Sequence, residues 1–272
     1  MVLYMDVNNL ISIAKNISEI APQAYSDVIQ KPAQNIGYTL GTITELLNTL
    51  LTPIEIINKT VSIKKEKFFE EYKNNINSIP KDKLCPANFA VVAPMIDHLK
   101  YKITEDELRQ KYAKLISEAS NSDSLTKPLL SFDNVLDQFS PYEIELLASL
   151  FSNNVDQCYP LASIIRTSKI GYNLLYENIS NISFKDFNWN TISIMISNFE
   201  RVGIINIDHM HFIEPEKEIY SYVTNSDLYN QIKTECDQVR TDIKRIYPES
   251  SIEKYMFSLT EFGKSFVTTV IL

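Results

Sequence analysis

Twice within one short stretch, a hydroxyl residue stands three positions ahead of a glutamate at the head of an apolar stripe. Thr104 precedes Glu107, and Ser140 precedes Glu143. In such a capping box the hydroxyl accepts from the third helical amide, and the carboxylate reaches back to the amide of the cap residue. Two N–H groups that a helix start otherwise leaves open are thereby satisfied. Leu108, Tyr112, Leu115, Ile116 and Ala119 follow the first box at helical spacing. Ile144, Leu147, Ala148 and Phe151 follow the second, where Pro141 also occupies the first helical position. Between them Phe132, Val135, Leu136 and Phe139 make a third stripe, on a helix starting after Pro128. Three amphipathic helices in succession must bury their apolar faces, so residues 103–151 dictate an α-helical core.

Upstream, residues 6–20 read as a short amphipathic helix broken at Ala21-Pro22. Residues 32–52 are more apolar and carry Gly37 and Gly41 at a spacing that lets two helices approach closely. Thr52 and Pro53 then read as the cap and first position of a long helix, with Ile57, Val61, Phe68, Tyr72 and Ile76 along one face. Its other face alternates lysines and glutamates, the pattern of a solvated surface. Cys85-Pro86 opens the next helix, and Pro94 inside it predicts a kink or a restart. His98 lies near Leu99 on that helix and is alone, the pattern of a surface or satisfied core residue rather than a ligand. Residues 121–127 form a polar loop.

After residues 152–160, which read as a linker, the texture changes to strand-like runs rich in Tyr, Ile and Phe. Residues 189–202 read as a helix with Ile192, Met195, Ile196, Phe199 and Val202 inward, and Asn190, Ser193, Ser197, Asn198, Glu200 and Arg201 outward. Gly203 stands at the C-cap position. Residues 204–208 and 255–259 read as strands, with a helix at 226–246 inserted between them and a last helix capped by Thr260.

The run Ile79-Pro80, Leu84, Pro86, Pro94, Leu99, Tyr101, Glu107-Leu108-Arg109, Ser131-Phe132, Leu136, Gln138 and Ser140-Pro141 resembles the abortive-infection alpha family. A looser match lies at Pro32, Gly37, Gly41 and Pro53. These positions are structural rather than catalytic, so the resemblance implies a fold and a link to phage defence, not a chemistry. Leu129-Leu130 stand where the family usually shows His-Pro, so no role for that histidine carries over. The helix, the Arg201-Val202-Gly203-Ile204-Ile205 strand entry and the strand ending in Leu259-Thr260 resemble a winged helix over roughly residues 160–272.

Composition narrows the function classes. The net charge is −8, with −4 in each of 1–150 and 151–272. Neither part supplies the basic surface on which phosphate-backbone affinity depends. Three scattered cysteines fit reduced thiols of a cytosolic protein. The N-terminus has no signal-peptide pattern, and no stretch is long and apolar enough to span a bilayer. His209 and His211 alternate as if on one strand face, but a two-histidine pair needs further ligands to hold a metal. No Ser or Cys sits in a recognisable nucleophile turn, and the five glycines leave little room for a phosphate loop.

The expectation is a mainly α protein in two parts: a multi-helix domain over 1–152 with its family-like core at 79–151, and a smaller α+β winged-helix-like domain over 158–272. The expected function is non-enzymatic, without cofactor or metal: a binding or effector protein of phage defence acting through protein contacts or self-association. The alternatives are a DNA-binding winged-helix regulator and an effector meeting the membrane through residues 32–57. The candidate contact residues are Gly37, Gly41, Arg201, His209 and His211.

Overall fold

The structure is a computed structural model and describes residues 41, 43–49, 52, 59–168, 171–213, 219–242 and 249–272. The expected helix at 6–20 and Gly37 lie outside the described residues. The chain divides into two compact units, Met1–Gln138 and Phe139–Leu272.

In the first unit four helices follow in order: α1 (Lys59–Ser78), α2 (Phe89–Lys102), α3 (Asp106–Glu118) and α4 (Leu129–Asp137). Helix α3 is central and packs on the other three. The apolar stripes read from the sequence are the buried ones: Val61, Phe68, Tyr72 and Ile76 on α1, Leu108, Tyr112, Leu115 and Ile116 on α3, and Phe132, Val135 and Leu136 on α4. Each such side chain withdraws apolar surface worth about 1.5–3 kcal/mol from water. Phe68 and Tyr72 stack one turn apart, with ring centroids 6.0 Å apart.

Several local expectations are corrected. Pro94 lies inside an unbroken α2, which starts after Asn88, whose side chain accepts from the Ala90 amide. Thr104 is not a cap. Helix α2 ends in a tight turn, with the Glu105 amide donating to the Lys102 carbonyl, and Thr104 falls inside that turn. Glu105 is the extended residue that precedes α3, and it offers no side-chain cap. Thr52 is itself helical, its hydroxyl donating to the Asn48 carbonyl, so it does not begin the long helix.

The second unit begins with α5 (Pro141–Phe151). Its capping box is formed in full: the Glu143 amide donates to Ser140 Oγ at 3.3 Å and Glu143 Oε2 accepts from the Ser140 amide at 2.8 Å. Strands β1 (Tyr159–Ser168) and β2 (Gly171–Ile179) follow, then α6 (Trp189–Arg201), β3 (Ile205–Asp208), α7 (Ser221–Thr224), α8 (Asp227–Asp242), β4 (Glu249–Leu259) and α9 (Glu261–Phe266). A π-helical turn, Val267–Ile271, closes the chain. The sheet is antiparallel with strand order β2-β1-β4-β3.

One face of the sheet carries Ala162, Ile164 and Ile252, packed under Tyr220, Val223, Ile232 and Cys236 of the α7–α8 segment. A second set of rings joins the helices: Phe139 meets Phe199 at 5.4 Å and Phe266 at 6.2 Å, and Phe151 meets Tyr159 at 5.5 Å and Phe257 at 6.5 Å. These contacts place α5 with the C-terminal elements, so the linker expected at 152–160 falls inside the second unit. The winged-helix outline is met only in the order of its elements. Strand β4 pairs with β3 through 256–259 but gives its other edge to β1, so the expected wing is part of a four-stranded sheet.

Candidate contact surface

Helix α6 is the element that a winged helix would offer to DNA. Asn188 caps it, its side chain accepting from the Thr191 amide at 2.9 Å. Ile192, Met195, Ile196 and Phe199 are buried, as their spacing predicts. The polar positions expected outside are mostly engaged within the unit. Ser193 is buried and donates to the Glu177 carbonyl at 2.9 Å. Asn178 donates to Ser197 Oγ at 3.0 Å. Asn198 donates to Glu143 Oε1 at 2.6 Å. Arg201 is exposed, yet its Nε and Nη2 both donate to Asn198 Oδ1, at 3.0 and 2.7 Å. What α6 leaves exposed is Asn190, Ile194, Glu200 and Arg201, with Ile194 63% exposed at its middle.

His209 and His211 do not share a strand face. Asp208 ends β3 by accepting from the Met210 and His211 amides, at 2.9 and 3.1 Å, so both histidines lie past the strand. His209 lies on the Tyr255 ring with centroids 4.6 Å apart. His211 Nδ1 is 2.8 Å from Asp208 Oδ2, and that pairing holds the Asp208 carboxyl below its usual range. Among the described residues no three His, Cys, Asp or Glu side chains are grouped to hold a metal. Gly41 is helical and exposed, and a Cβ there would meet no described atom within 4 Å, so its small face packs on none of the described residues.

The edge strand β2 is an exposed surface that sequence reading missed. Its inner end is fixed firmly. The Tyr255 hydroxyl accepts from the Asn178 amide at 2.8 Å, lies 2.7 Å from Ser163 Oγ and donates to Asn178 Oδ1 at 3.1 Å. Asn178 adopts φ 55, a left-handed conformation that Asn tolerates better than most side chains. Burial pushes the Tyr255 hydroxyl up, so it stays a neutral donor and acceptor. The outer part of β2 is exposed, and among the described strands none pairs with its outer edge. Residues 171–174 are all exposed, with Tyr172 at 62% and Leu174 at 43%. The strand carries no lysine, arginine or proline, and its one charge is Glu177. Folded proteins commonly guard a sheet edge with such residues. Only sheet order distinguishes this strand from the buried β1 beside it, so its exposure is not legible from periodicity.

The first unit holds two ionic sites that sequence reading missed. His98 Nδ1 on α2 is 3.0 Å from both carboxylate oxygens of Asp133 on α4. Asp133 is 1% exposed. Burial raises its carboxyl above the usual range, and the His98 hydrogen bond opposes that rise. The Tyr112 hydroxyl, buried and without a hydrogen-bond partner among the described residues, is pushed up by burial and by the charges of Asp133 and Asp137. Arg109 on α3 is also buried. It donates through Nε and Nη2 to Glu71 on α1 at 3.0 and 2.8 Å, and through Nη1 to Asp106. Nothing in the sequence relates His98 to Asp133 or Arg109 to Glu71, because both pairs need the helix packing to exist. Among the described residues no helix is long and apolar enough to cross a membrane.

A family model for abortive infection alpha matches residues 61–270. The chain belongs to that family. No curated protein matches it. Among solved structures it is similar to an uncharacterized protein from the hydrocarbon-degrading marine bacterium Alcanivorax borkumensis SK2. That chain is 18% identical, and the match covers 52% of this chain and 92% of the other, with a TM-score of 0.33. A likeness at that level carries no argument.

Proposed function

We propose that this member of the abortive infection alpha family is a non-enzymatic effector of phage defence, acting through protein contacts made by the outer part of β2. The observation that carries the reading is the unguarded apolar edge at Tyr172 and Leu174. Hydrogen-bonding groups on a free sheet edge accept another strand, and apolar side chains at alternate positions supply the specificity. Such contacts need no basic surface, and the chain's net charge of −8 suits them better than phosphate binding. A second support comes from the buried ionisable groups. Arg109, Asp133 and Glu143 are each bonded to groups on neighbouring elements or at a helix cap, which is the use a scaffold makes of them.

The test is a plaque assay on bacteria carrying the chain. The wild type should lower plaque number relative to cells without it. Leu174→Lys places a charge on the edge, keeps the strand's length and removes that protection. Protection equal to wild type in a stably folded Leu174→Lys protein would overturn the reading.

A further inference from the structure

We propose that the outer part of β2 pairs antiparallel with the same strand of a second copy of this chain, about a two-fold axis at Asn173. This deepens the reading of β2 as the contact surface, and rests on it, by naming the partner.

Ser168 pairs with Gly171, Thr167 with Tyr172, Arg166 with Asn173 and Ile165 with Leu174. Antiparallel pairs alternate between hydrogen-bonded and non-hydrogen-bonded, and the pair that flanks a two-residue connection is hydrogen-bonded. Gly171 and Asn173 therefore direct their backbone groups at β1, while those of Tyr172 and Leu174 face the open edge. The ladder stays regular over this segment, because the β-bulges lie farther along, between Ile165 and Ile164 and between Ile164 and Ala162 of β1. Bulges twist an edge away from pairing, so the region that can accept a strand ends near Leu174.

Within that region the strand is complementary to itself. With the axis at Asn173, Tyr172 hydrogen-bonds to the partner's Leu174, and Leu174 to the partner's Tyr172. Both outward backbone positions of each copy are then used. The same register sets Tyr172 beside the partner's Leu174 on one face of the combined sheet, twice over, and such aromatic–aliphatic cross-strand pairs are stabilising. No charge opposes a like charge, because residues 171–174 carry none. The other sheet edge offers no equivalent, since β3 has only the four residues Ile205–Asp208 and ends in the turn at Asp208. A two-fold interface uses the same patch on both copies, which this strand meets without any further residue.

The geometry supplies its own probe. Asn173 would face the partner's Asn173 as a non-hydrogen-bonded pair, with Cα atoms about 4.5 Å apart, within the range that a disulfide spans. Full-length Asn173→Cys, oxidised mildly, should give a disulfide-linked dimer on a non-reducing gel. The wild type, with Cys85, Cys158 and Cys236, should not. Asn206→Cys, exposed on the opposite edge, should not either, and adding Leu174→Lys to Asn173→Cys should abolish the dimer. Sedimentation equilibrium of the unmodified chain should show dimer, and of Leu174→Lys monomer. A wild type that stays monomeric throughout, or equal cross-linking from positions 173 and 206, would overturn the pairing. Should Leu174→Lys lose phage protection while the wild type is monomeric, the self-pairing fails and the contact reading stands. Should the dimer form yet Leu174→Lys still protect, the pairing stands and the contact reading fails.

Discussion

His98 Nδ1 lies 3.0 Å from each carboxylate oxygen of Asp133, so one ring N–H on α2 serves both acceptor atoms of a buried side chain on α4. With Asp133 ionised the carboxylate can only accept, and Nδ1 then carries the proton. The pair ties α2 to α4 and leaves Asp133 with a carboxyl raised by burial.

Removing the donor should therefore cost more than removing the charge. His98→Ala leaves a buried acceptor unpaired and should destabilise the protein by about 1–3 kcal/mol in urea unfolding. Asp133→Asn keeps an acceptor for the ring and should cost less. The sign of the pH effect follows from the raised carboxyl. Its stabilising contribution is complete below the ordinary Asp value of 3.8 and is lost as pH rises through the higher folded value. Asp133→Asn should accordingly lose less stability than wild type as pH rises above the ordinary Asp value of 3.8. Equal losses would show that Asp133 is not held at a raised value.

Asp106 should give the opposite limb. Its hydrogen bonds from Lys64 and then Arg109 hold its carboxyl at about 2. A lowered carboxyl contributes stability above the ordinary value of 3.8 that is lost as pH falls through about 2. Asp106 is 49% exposed, so solvent screens the effect. Asp106→Asn should flatten the acid side of a melting-temperature profile. A steep wild-type fall that persists unchanged in the variant would contradict the pairing.

The two hydroxyls that look alike in sequence should separate in experiment. Ser140→Ala breaks a complete capping box and should cost about 0.5–2 kcal/mol. Thr104→Ala removes a side chain from a turn and should leave the urea midpoint unchanged. Equal effects would mean that Thr104 caps α3, which would then start one residue earlier, at Glu105.

Two glycines should behave as opposites. A Cβ on Gly263 would stand 1.9 Å from the Ile204 carbonyl oxygen, which is backbone and cannot rotate away. Gly263→Ala should destabilise by about 1–3 kcal/mol or more through overpacking. Gly41 is helical with open space around its Cβ position. Gly41→Ala should be neutral or stabilise by up to about 1 kcal/mol. A destabilised Gly41→Ala would restore the close helix approach read from the sequence.

Much of the helical architecture was legible because amphipathic periodicity is a local signal. The buried stripes on α1, α3, α4 and α6, the Ser140 cap and the Thr260 cap all follow from residues within one or two turns of each other. Thr104 failed because two adjacent helices competed for the same turn, and the tight Lys102–Glu105 connection decided it. The outward face of α6 was misread because a helix that packs on several elements buries polar positions as well, here against Glu177, Asn178 and Glu143. The β2 edge and the His98–Asp133 pair depend on which strands and helices become neighbours, and no local pattern carries that.

On this reading phage defence works through the β2 edge rather than through α6. Phage yield per infected cell, measured in a single growth cycle with every cell infected, tests it most directly. The yield should be low with the wild type, equally low with Arg201→Ala, and restored to that of cells lacking the protein with Leu174→Lys. A low yield that survives Leu174→Lys but is lost with Arg201→Ala would contradict it.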